Sequence, residues 1–329
     1  MAVSNKLANR NSNNKPQTFS SYLTGDLVRK KINEMVGGRD GQRFITSIIS
    51  AVSVNPALSE CEYGTILSAA MLGESLKLSP SPQLGQYYMV PFNDKKRGCK
   101  VAQFQLGYKG YIQLAIRSGY YKKINVISIK EGELIRFDPL EEEIEVNLIE
   151  DEMEREAAPT IGYYAMFEYH NGFKKAMYWS KAKMIAHADK FSQAFSKDAV
   201  KARDPKYNKV SFADFEAGKV AEKDMWLYSS FWYKDFDGMA YKTMLRQLIS
   251  KWGIMSIELQ TAIDKDMAAI HEDGTVDYVD NLSFESHESE ETPSDTVQGE
   301  VIQVDPATGE VIEDKPDAAA SVQDSFFED

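Results

Sequence analysis

Apolar residues recur at helical spacing in several stretches of the chain. In the clearest stretch, between Met239 and Trp252, apolar side chains occupy positions i, i+3, i+4, i+7, i+8 and i+11. Weaker stripes are bounded by residues that end or cap helices, such as Gly37, Pro56 and Ser180. The pattern predicts helices over residues 22–36, 44–52, 63–71, 107–119, 180–195, 239–252 and 256–270.

A first β-hairpin is predicted from two apolar runs at residues 86–92 and 99–106, which flank the polar loop 93–98. Pro91 lies in the first run. Because proline lacks an N–H donor, we expect that strand to lie at a sheet edge or to carry a bulge.

A second hairpin is centred on Asn171-Gly172, a dipeptide that favours a tight type I′ turn between the runs 161–169 and 173–179. Before it, residues 143–148 alternate apolar and polar side chains, which is typical of a half-buried strand. Helices, hairpins and helices therefore follow one another along the chain. This order predicts an α+β fold in which antiparallel hairpins, or a meander, pack with helices.

The charge is divided unevenly along the chain, whose formal net charge is −12. Residues 266–329 contain 19 acidic residues and one base, Lys315, so they carry −18 and the rest of the chain carries +6. A basic body attracts polyanions such as nucleic acid, whereas an acidic segment with few apolar runs cannot fold alone. We predict a flexible N-terminal arm with a short basic helix (1–38), a folded core (39–270) and a disordered acidic tail (271–329).

Composition and absent motifs narrow the possible functions. The two cysteines, Cys61 and Cys99, are far apart, which indicates a reducing compartment, and the expected location is the cytoplasm. No apolar run is long enough for a membrane span, and no metal-ligand spacing occurs. The sequence has no phosphate-binding Gly-x-x-x-x-Gly-Lys-Ser/Thr loop and no nucleophile with a convincing base, so no catalytic residue is predicted.

The stretch 107–119 is the most informative motif. On a helix, Lys109, Gln113 and Arg117 share one face. The spacing of Gly107 and Gly110 would let backbone N–H groups approach an anion such as a phosphate. A solvated polar stripe with a glycine turn explains the same pattern, and the spacing does not decide between the two.

The predicted helix 239–252 repeats this geometry with Lys242 and Arg246, and Lys251 follows them. The polar faces of two such helices could form the walls of a groove for nucleic acid. A solvated helix face is the alternative interpretation.

The loop of the first hairpin carries Lys95, Lys96 and Arg97, three adjacent cations that are unfavourable to crowd unless an anion is near. We predict that this tip, with Phe92 beside it, reaches nucleic acid as a clamp or as a wedge between bases. A tolerated basic turn on the surface is the alternative.

Two other clusters have more than one interpretation. The aromatic residues between Trp226 and Phe236 could stack bases, but most of them are expected in the core. The acidic residues between Glu141 and Glu156 could belong to a metal-dependent nuclease. A solvated edge that discourages strand pairing is the favoured interpretation, because no histidine accompanies the acids.

The chain resembles the RecT family of phage recombinases in three segments. They are Gly-Tyr-Lys-Gly-x-Ile-x-Leu-Ala-x-Arg-Ser-Gly at 107–119, the preceding 85–92 with Val-Pro-Phe at its end, and Met-Ala-Tyr-Lys-Thr-Met-Leu-Arg-Gln-Leu at 239–248 followed by Ile257-Glu258. The resemblance runs from about Arg39 to Asp266. The N-terminal arm and the acidic tail lie outside it, and the connector 196–222 departs from shorter family members.

The resemblance implies an ATP-independent protein that binds single-stranded DNA, anneals it to a complement and supports strand invasion in phage recombination. It implies a fold distantly similar to Rad52-type annealing proteins and assembly into rings or helical filaments. It implies no nucleotide cofactor, with Mg²⁺ at most modulating DNA binding. Expected partners are single-stranded DNA, the annealed duplex and, through the tail, a phage exonuclease or the host single-strand-binding protein.

The site expected from pattern and resemblance is cationic. Its predicted DNA-binding residues are Lys95, Lys96, Arg97, Lys100, Gly107, Lys109, Gly110, Arg117, Lys122, Lys123, Lys242, Arg246 and Lys251. The predicted stacking or wedge residues are Phe92, Tyr108 and Tyr111. A metal-dependent nuclease and a non-catalytic phage assembly protein remain the alternative functions.

Overall fold

The computed structural model describes residues 18–94, 97–192, 194–271 and 273–278. Within these ranges the chain combines helices with antiparallel sheets, which confirms the predicted α+β class. The α-helices described are α1 (Phe19–Leu23), α2 (Asp26–Val36), α3 (Gly38–Val54), α4 (Tyr63–Ser75), α5 (Tyr108–Ser118), α6 (Glu152–Ala157), α7 (Lys181–Phe191), α8 (Phe212–Glu216), α9 (Phe231–Lys234), α10 (Phe236–Trp252) and α11 (Ile257–Asp264).

The strands in the same ranges are β1 (Tyr87–Asp94), β2 (Cys99–Leu106), β3 (Tyr121–Lys130), β4 (Leu134–Asp138), β5 (Glu143–Val146), β6 (Thr160–Tyr169), β7 (Lys174–Ser180), β8 (Ala268–Ile270) and β9 (Val276–Tyr278). Short 3-10 helices cover Pro56–Glu60, Pro205–Tyr207 and Glu222–Tyr228. None of the described helices is long and apolar enough to cross a bilayer. Residues 1–17 of the predicted arm and 279–329 of the predicted tail lie outside the described residues.

The first two helices pack into the main core instead of belonging to a flexible arm. Phe19 and Leu23 of α1 and Ile32 of α2 are buried together with Ile48 of α3. Leu27 of α2, by contrast, is almost fully exposed. The predicted arm therefore needs correction from residue 18 onward, because these side chains gain stability only by docking.

The first sheet has the strand order β1-β2-β8-β9 and is antiparallel throughout. Strand β1 lies at its edge, as Pro91 predicts. The predicted helix 256–270 instead ends at Asp264, and the chain turns into β8 through Met267, whose φ is 66°. Strand β8 pairs with β2 and buries Ala268 and Ala269, so tertiary pairing overrides the helical pattern.

The hairpin formed by β8 and β9 moves the boundary between the core and the tail. Residues from His271 onward were assigned to the tail, yet His271 is buried and β9 continues the sheet to Tyr278. The N–H of His271 bonds the carbonyl of Thr275 at 2.9 Å and closes the hairpin. The fold therefore extends at least to residue 278.

The second sheet has the order β3-β6-β7, and the β4–β5 hairpin forms a separate two-stranded sheet. Gly172, with φ 87°, lies in the predicted turn between β6 and β7. Helix α10 packs on this sheet and buries Met244 and Leu248 in an aromatic core that includes Tyr163 and Phe167. This core also takes in side chains from the connector 196–222.

Candidate nucleic-acid interface

Helix α5 presents the polar face that its spacing predicts. Lys109, Gln113 and Arg117 are all exposed, whereas Leu114 and Ala115 are buried. The helix ends at Gly119, which adopts the left-handed conformation with φ 75°. Ile116, an apolar residue of the same helix, is also exposed.

The glycines of α5 serve close backbone packing. A Cβ added to Gly107 would lie 2.1 Å from the carbonyl oxygen of Gly85, and one added to Gly110 would lie 2.1 Å from that of Gln86. The N–H of Gly107 donates to Gln86 at 2.9 Å. Both glycines are buried, so the expectation that they open the backbone to an anion is corrected.

The cations of α10 point inward. The Nζ of Lys242 lies 2.9 Å from Oδ1 of Asp266, and a terminal guanidinium nitrogen of Arg246 lies 2.8 Å from Oδ2. Side-chain exposure is 8% for Lys242, 12% for Arg246 and 0% for Asp266. This geometry corrects the expectation that Lys242 and Arg246 wall an open groove.

Asp266 has further partners beside the two cations. Its Oδ1 accepts the N–H of Leu106 at 2.9 Å, and its Oδ2 lies 3.5 Å from the hydroxyl of Tyr111. Burial, the largest influence, lowers the pKa of Lys242 despite the opposing attraction of Asp266. Tyr111 is fully buried, so its ring is not placed to stack on a base. Lys251, in the last turn of α10, is exposed.

An open groove of about 800 Å³ lies between α3 and the segment that joins α4 to β1. We call it the α3 groove. Its lining residues are Val36, Asp40, Gln42, Arg43, Phe44, Thr46, Ser47, Ser50, Glu74, Lys77, Leu78, Ser79, Pro80 and Gln86. The walls combine two cations with several hydroxyl and amide groups, which are the side chains that contact phosphate and sugar oxygens in nucleic-acid complexes.

Helix α5 stands directly beside the α3 groove. Arg117 donates hydrogen bonds to the carbonyls of Leu76 and, at 3.3 Å, of Lys77. At the other end of α5, a Cβ built on Gly85 would lie 3.4 Å from Cδ of Lys109. The exposed face of α5 and the segment 76–85 therefore form one surface that adjoins the α3 groove.

The groove cations are paired only locally. Arg43 lies 3.5 Å from Asp40 on the same helix, and Lys77 lies 2.9 Å from Glu74. Three of these four side chains are mostly exposed, and Glu74 is partly so. Exposed pairs of this kind contribute about 0–1 kcal/mol, so a phosphate can compete for either cation.

An aromatic rim follows the end of the surface near Lys109. It consists of Tyr88, Tyr108 and Phe231, which surround a pocket of about 30 Å³ that has room for water but not for a base. The rings of Tyr88 and Phe231 are 5.6 Å apart, and Nζ of Lys109 is 5.9 Å from the ring of Tyr108. Tyr108 thus remains a candidate contact, on the rim and not within a groove.

The tip of the first hairpin is tied to the last hairpin. Arg97 lies 2.9 Å from Nδ1 of His271, 3.4 Å from Asp277 and 3.8 Å from Asp94. Its predicted neighbours Lys95 and Lys96 lie outside the described residues.

The other predicted residues lie on strands β1, β2 and β3. Phe92 is partly exposed on edge strand β1, and Lys100 on β2 pairs with Glu60. Lys122 on β3 lies 2.5 Å from Glu168, and this hydrogen bond is the main cause that lowers the pKa of Glu168. Lys123, also on β3, is exposed.

The acidic residues considered for a nuclease make local structural contacts. Glu142 accepts the N–H of Ala176 at 3.1 Å and pairs with Lys175. Among the residues that the structure describes, no group of three or more His, Cys, Asp or Glu side chains could hold a metal ion.

Residues of helix α3 also line the groove, although none of them is among the predicted site residues. Arg43, Thr46 and Ser50 lie on one side of this helix at positions i, i+3 and i+7, opposite the apolar stripe that predicted the helix. This polar stripe is the signal in the sequence from which these residues could be predicted.

An open polar groove with exposed cations on and beside its walls, carried by helices and antiparallel sheets, defines a candidate nucleic-acid-binding protein. The RecT family model matches residues 42–279. Over 303 residues the chain is 35% identical to "Uncharacterized protein YqaK" of Bacillus subtilis (strain 168), covering 91% of this chain and 89% of that protein. Over 133 residues it is 32% identical to "Protein RecT" of Escherichia coli (strain K12), covering 40% of this chain and 48% of that protein.

The chain belongs to the RecT family, which confirms the resemblance seen at 107–119 and 239–248. It is therefore a DNA recombination and annealing protein in the general sense of that family. The matched range ends at 279, one residue beyond the end of β9.

Proposed function

We propose that the protein binds single-stranded DNA along the α3 groove and anneals it to a complementary strand without ATP. It thereby supports strand invasion during phage recombination in the cytoplasm of a bacterial host. The proposal depends on one arrangement: Arg43 and Lys77 line an open groove, and Arg117 and Lys109 of α5 contact the adjoining segment at Lys77 and Gly85. Membership of the RecT family supports the same function.

The first step is binding of the phosphate backbone. Cations and hydroxyl groups contact phosphate and sugar oxygens without reading the bases, so any single strand is accepted. Asp40 and Glu74 release their partners at little cost because these ion pairs are largely exposed. Each phosphate that replaces such a carboxylate releases condensed counterions from the strand, which favours binding at low salt.

Base pairing then drives annealing. A backbone held in the groove leaves the bases free to test a second strand, and the duplex supplies roughly 1.4 kcal/mol per base step. A nucleotide cofactor is not needed for this energy. Several subunits on one strand, in a ring or helical filament, would multiply modest individual affinities. We further propose that the segment beyond residue 278 recruits a phage exonuclease or the host single-strand-binding protein.

The direct test mixes the purified protein with labelled complementary strands in the absence of ATP. We expect faster appearance of duplex than without protein. Degradation of the strands in the presence of Mg²⁺ would identify a nuclease instead, and inert behaviour would favour an assembly protein.

The site is tested with Arg43→Ala combined with Lys109→Ala. The double variant should anneal more slowly and bind single strands more weakly, with a salt slope about 1.4 lower for two lost phosphate contacts. Lys174→Ala, which removes an exposed cation of β7, is the matched control. It should leave the annealing rate and the affinity for single strands unchanged. If the control and the double variant lose affinity equally, the groove is not the site.

A further inference from the structure

The connector 196–222, which departs from shorter family members, packs into the fold. Phe195 and Phe212 are buried with their rings 5.0 Å apart. The hydroxyl of Tyr228 accepts the N–H of Val210 at 2.8 Å, and that of Tyr233 accepts the N–H of Ser196 at 2.9 Å. The backbone of the connector is therefore fixed to the aromatic core at several points.

Two large aromatic side chains, one in the connector and one just after it, nevertheless point outward. Tyr207 is 45% exposed and Trp226 is 56% exposed, and their rings meet edge to face with centroids 5.8 Å apart. Each ring projects from a short 3-10 helix, the first of which is capped by Asp204 through the N–H of Lys206 at 3.1 Å. The pair thus offers exposed π-faces from a fixed backbone.

The surroundings of Tyr207 are cationic. Residues 200–209 contain four bases and one acid. Nζ of Lys206 lies 4.9 Å from the centroid of the Tyr207 ring, and Lys201 and Arg203 are exposed nearby in the chain. Lys206 also pairs with Asp204 at 3.0 Å, but both side chains are largely exposed, so the pair is weak. A polyanion with flat, stackable groups fits this combination better than an apolar protein surface does.

The pair also lies close along the chain to the aromatic rim. Trp226 precedes Phe231, a member of the rim, by five residues, which span at most about 18 Å even when fully extended. A strand that passes Lys109 and the rim therefore has Trp226 within about 18 Å of Phe231.

We infer that Tyr207 and Trp226 form a stacking site for nucleobases of a single strand, outside the α3 groove. This inference rests on the proposed function, since it extends the path of the same strand. Stacking on aromatic rings tolerates any base, as annealing requires, because every base has a π-face. The nearby cations hold the backbone, and the rings hold one or more bases.

The test separates stacking from charge. Binding of a labelled oligothymidylate and of an abasic strand of equal length is measured across a salt series. Trp226→Ala should weaken oligothymidylate binding by on the order of 10-fold while leaving the salt slope unchanged, because stacking releases no counterions. Trp226→Phe should retain most of the affinity, whereas Trp226→Leu should behave like the alanine variant. The abasic strand should bind equally to all of them.

Met225→Ala is the positional control, because Met225 is exposed on the same 3-10 helix without a ring, and it should bind normally. In a Trp252→Phe background, which removes the other largely exposed tryptophan, DNA should still quench the fluorescence of Trp226.

Three results would overturn the inference: wild-type affinity in Trp226→Leu, equal losses for the abasic strand, or a change in self-association without a change in DNA affinity. The last would mark a protein interface. If Lys109→Ala lowers the salt slope while Trp226→Ala leaves the affinity for single strands unchanged, only this inference fails. If the wild-type protein binds no single strand, the proposed function fails with it.

Discussion

Helices α5 and α10 each place polar or cationic side chains at positions i, i+4 and i+8. These are Lys109, Gln113 and Arg117 on α5, and Lys242, Arg246 and Ser250 on α10. The three side chains of α5 face solvent beside the α3 groove, whereas Lys242 and Arg246 of α10 are buried on one carboxylate. The same spacing therefore produces an exposed polar face on one helix and an internal ion cluster on the other.

The difference comes from Asp266, which lies 24 residues after Lys242 and 20 after Arg246. The turn between α11 and β8 brings this carboxylate against both cations and the N–H of Leu106. A buried cation is stable only beside a negatively charged partner. Asp266 is that partner for Lys242 and Arg246, whereas Lys109 and Arg117 of α5 stay exposed.

The largest effect should follow from removing the shared carboxylate. Asp266→Asn leaves Lys242 and Arg246 buried without a countercharge, and we expect the free energy of unfolding to fall by about 3–5 kcal/mol in urea titration. Asp198→Asn changes an exposed aspartate, and its free energy of unfolding should lie within about 0.5 kcal/mol of the wild-type value. A stable Asp266→Asn protein would show that the cluster is solvated after all, and the contrast between the helices would disappear.

A smaller loss is expected at the N-terminus of α5. Gly110→Ala pushes a Cβ into the carbonyl of Gln86, and overpacking of this kind costs about 1–3 kcal/mol. Gln113→Ala, on the exposed face of the same helix, should leave the thermal midpoint almost unchanged. If Gly110→Ala instead kept full stability but lost DNA binding, the glycine would serve an anion and not packing.

The smallest effect on stability, and the sharpest on binding, is expected from Lys109→Met. It should change the free energy of unfolding by less than about 0.5 kcal/mol and lower the salt slope for single strands by about 0.7.

Lys242→Met is the matched substitution on α10. It leaves Arg246 paired one-to-one with Asp266, so it should cost less stability than Asp266→Asn and should not change the slope. Equal slopes in the two lysine variants would mean that both helices, or neither, contact phosphate.

Local pattern was enough to predict most elements. The stripe at 239–252 predicted α10, Ser180 caps α7 by accepting the N–H of Lys183, and Gly172 lies in the turn of the second hairpin. The segment after α11 could not be predicted in this way. Its apolar residues fit a helix, but Ala268 and Ala269 gain more by pairing with β2, a strand about 165 residues earlier.

The sequence by itself determined the fold class, the family, the exposed face of α5 and the separation of a basic body from an acidic segment. These properties depend on residues that are near one another in the chain or on simple sums of charge. Tertiary structure alone decided that Lys242 and Arg246 are internal, that α3 supplies a groove wall and that Tyr207 meets Trp226. Burial and pairing depend on partners that are distant in sequence, such as Asp266. A local pattern does not show which distant residue will pack against it.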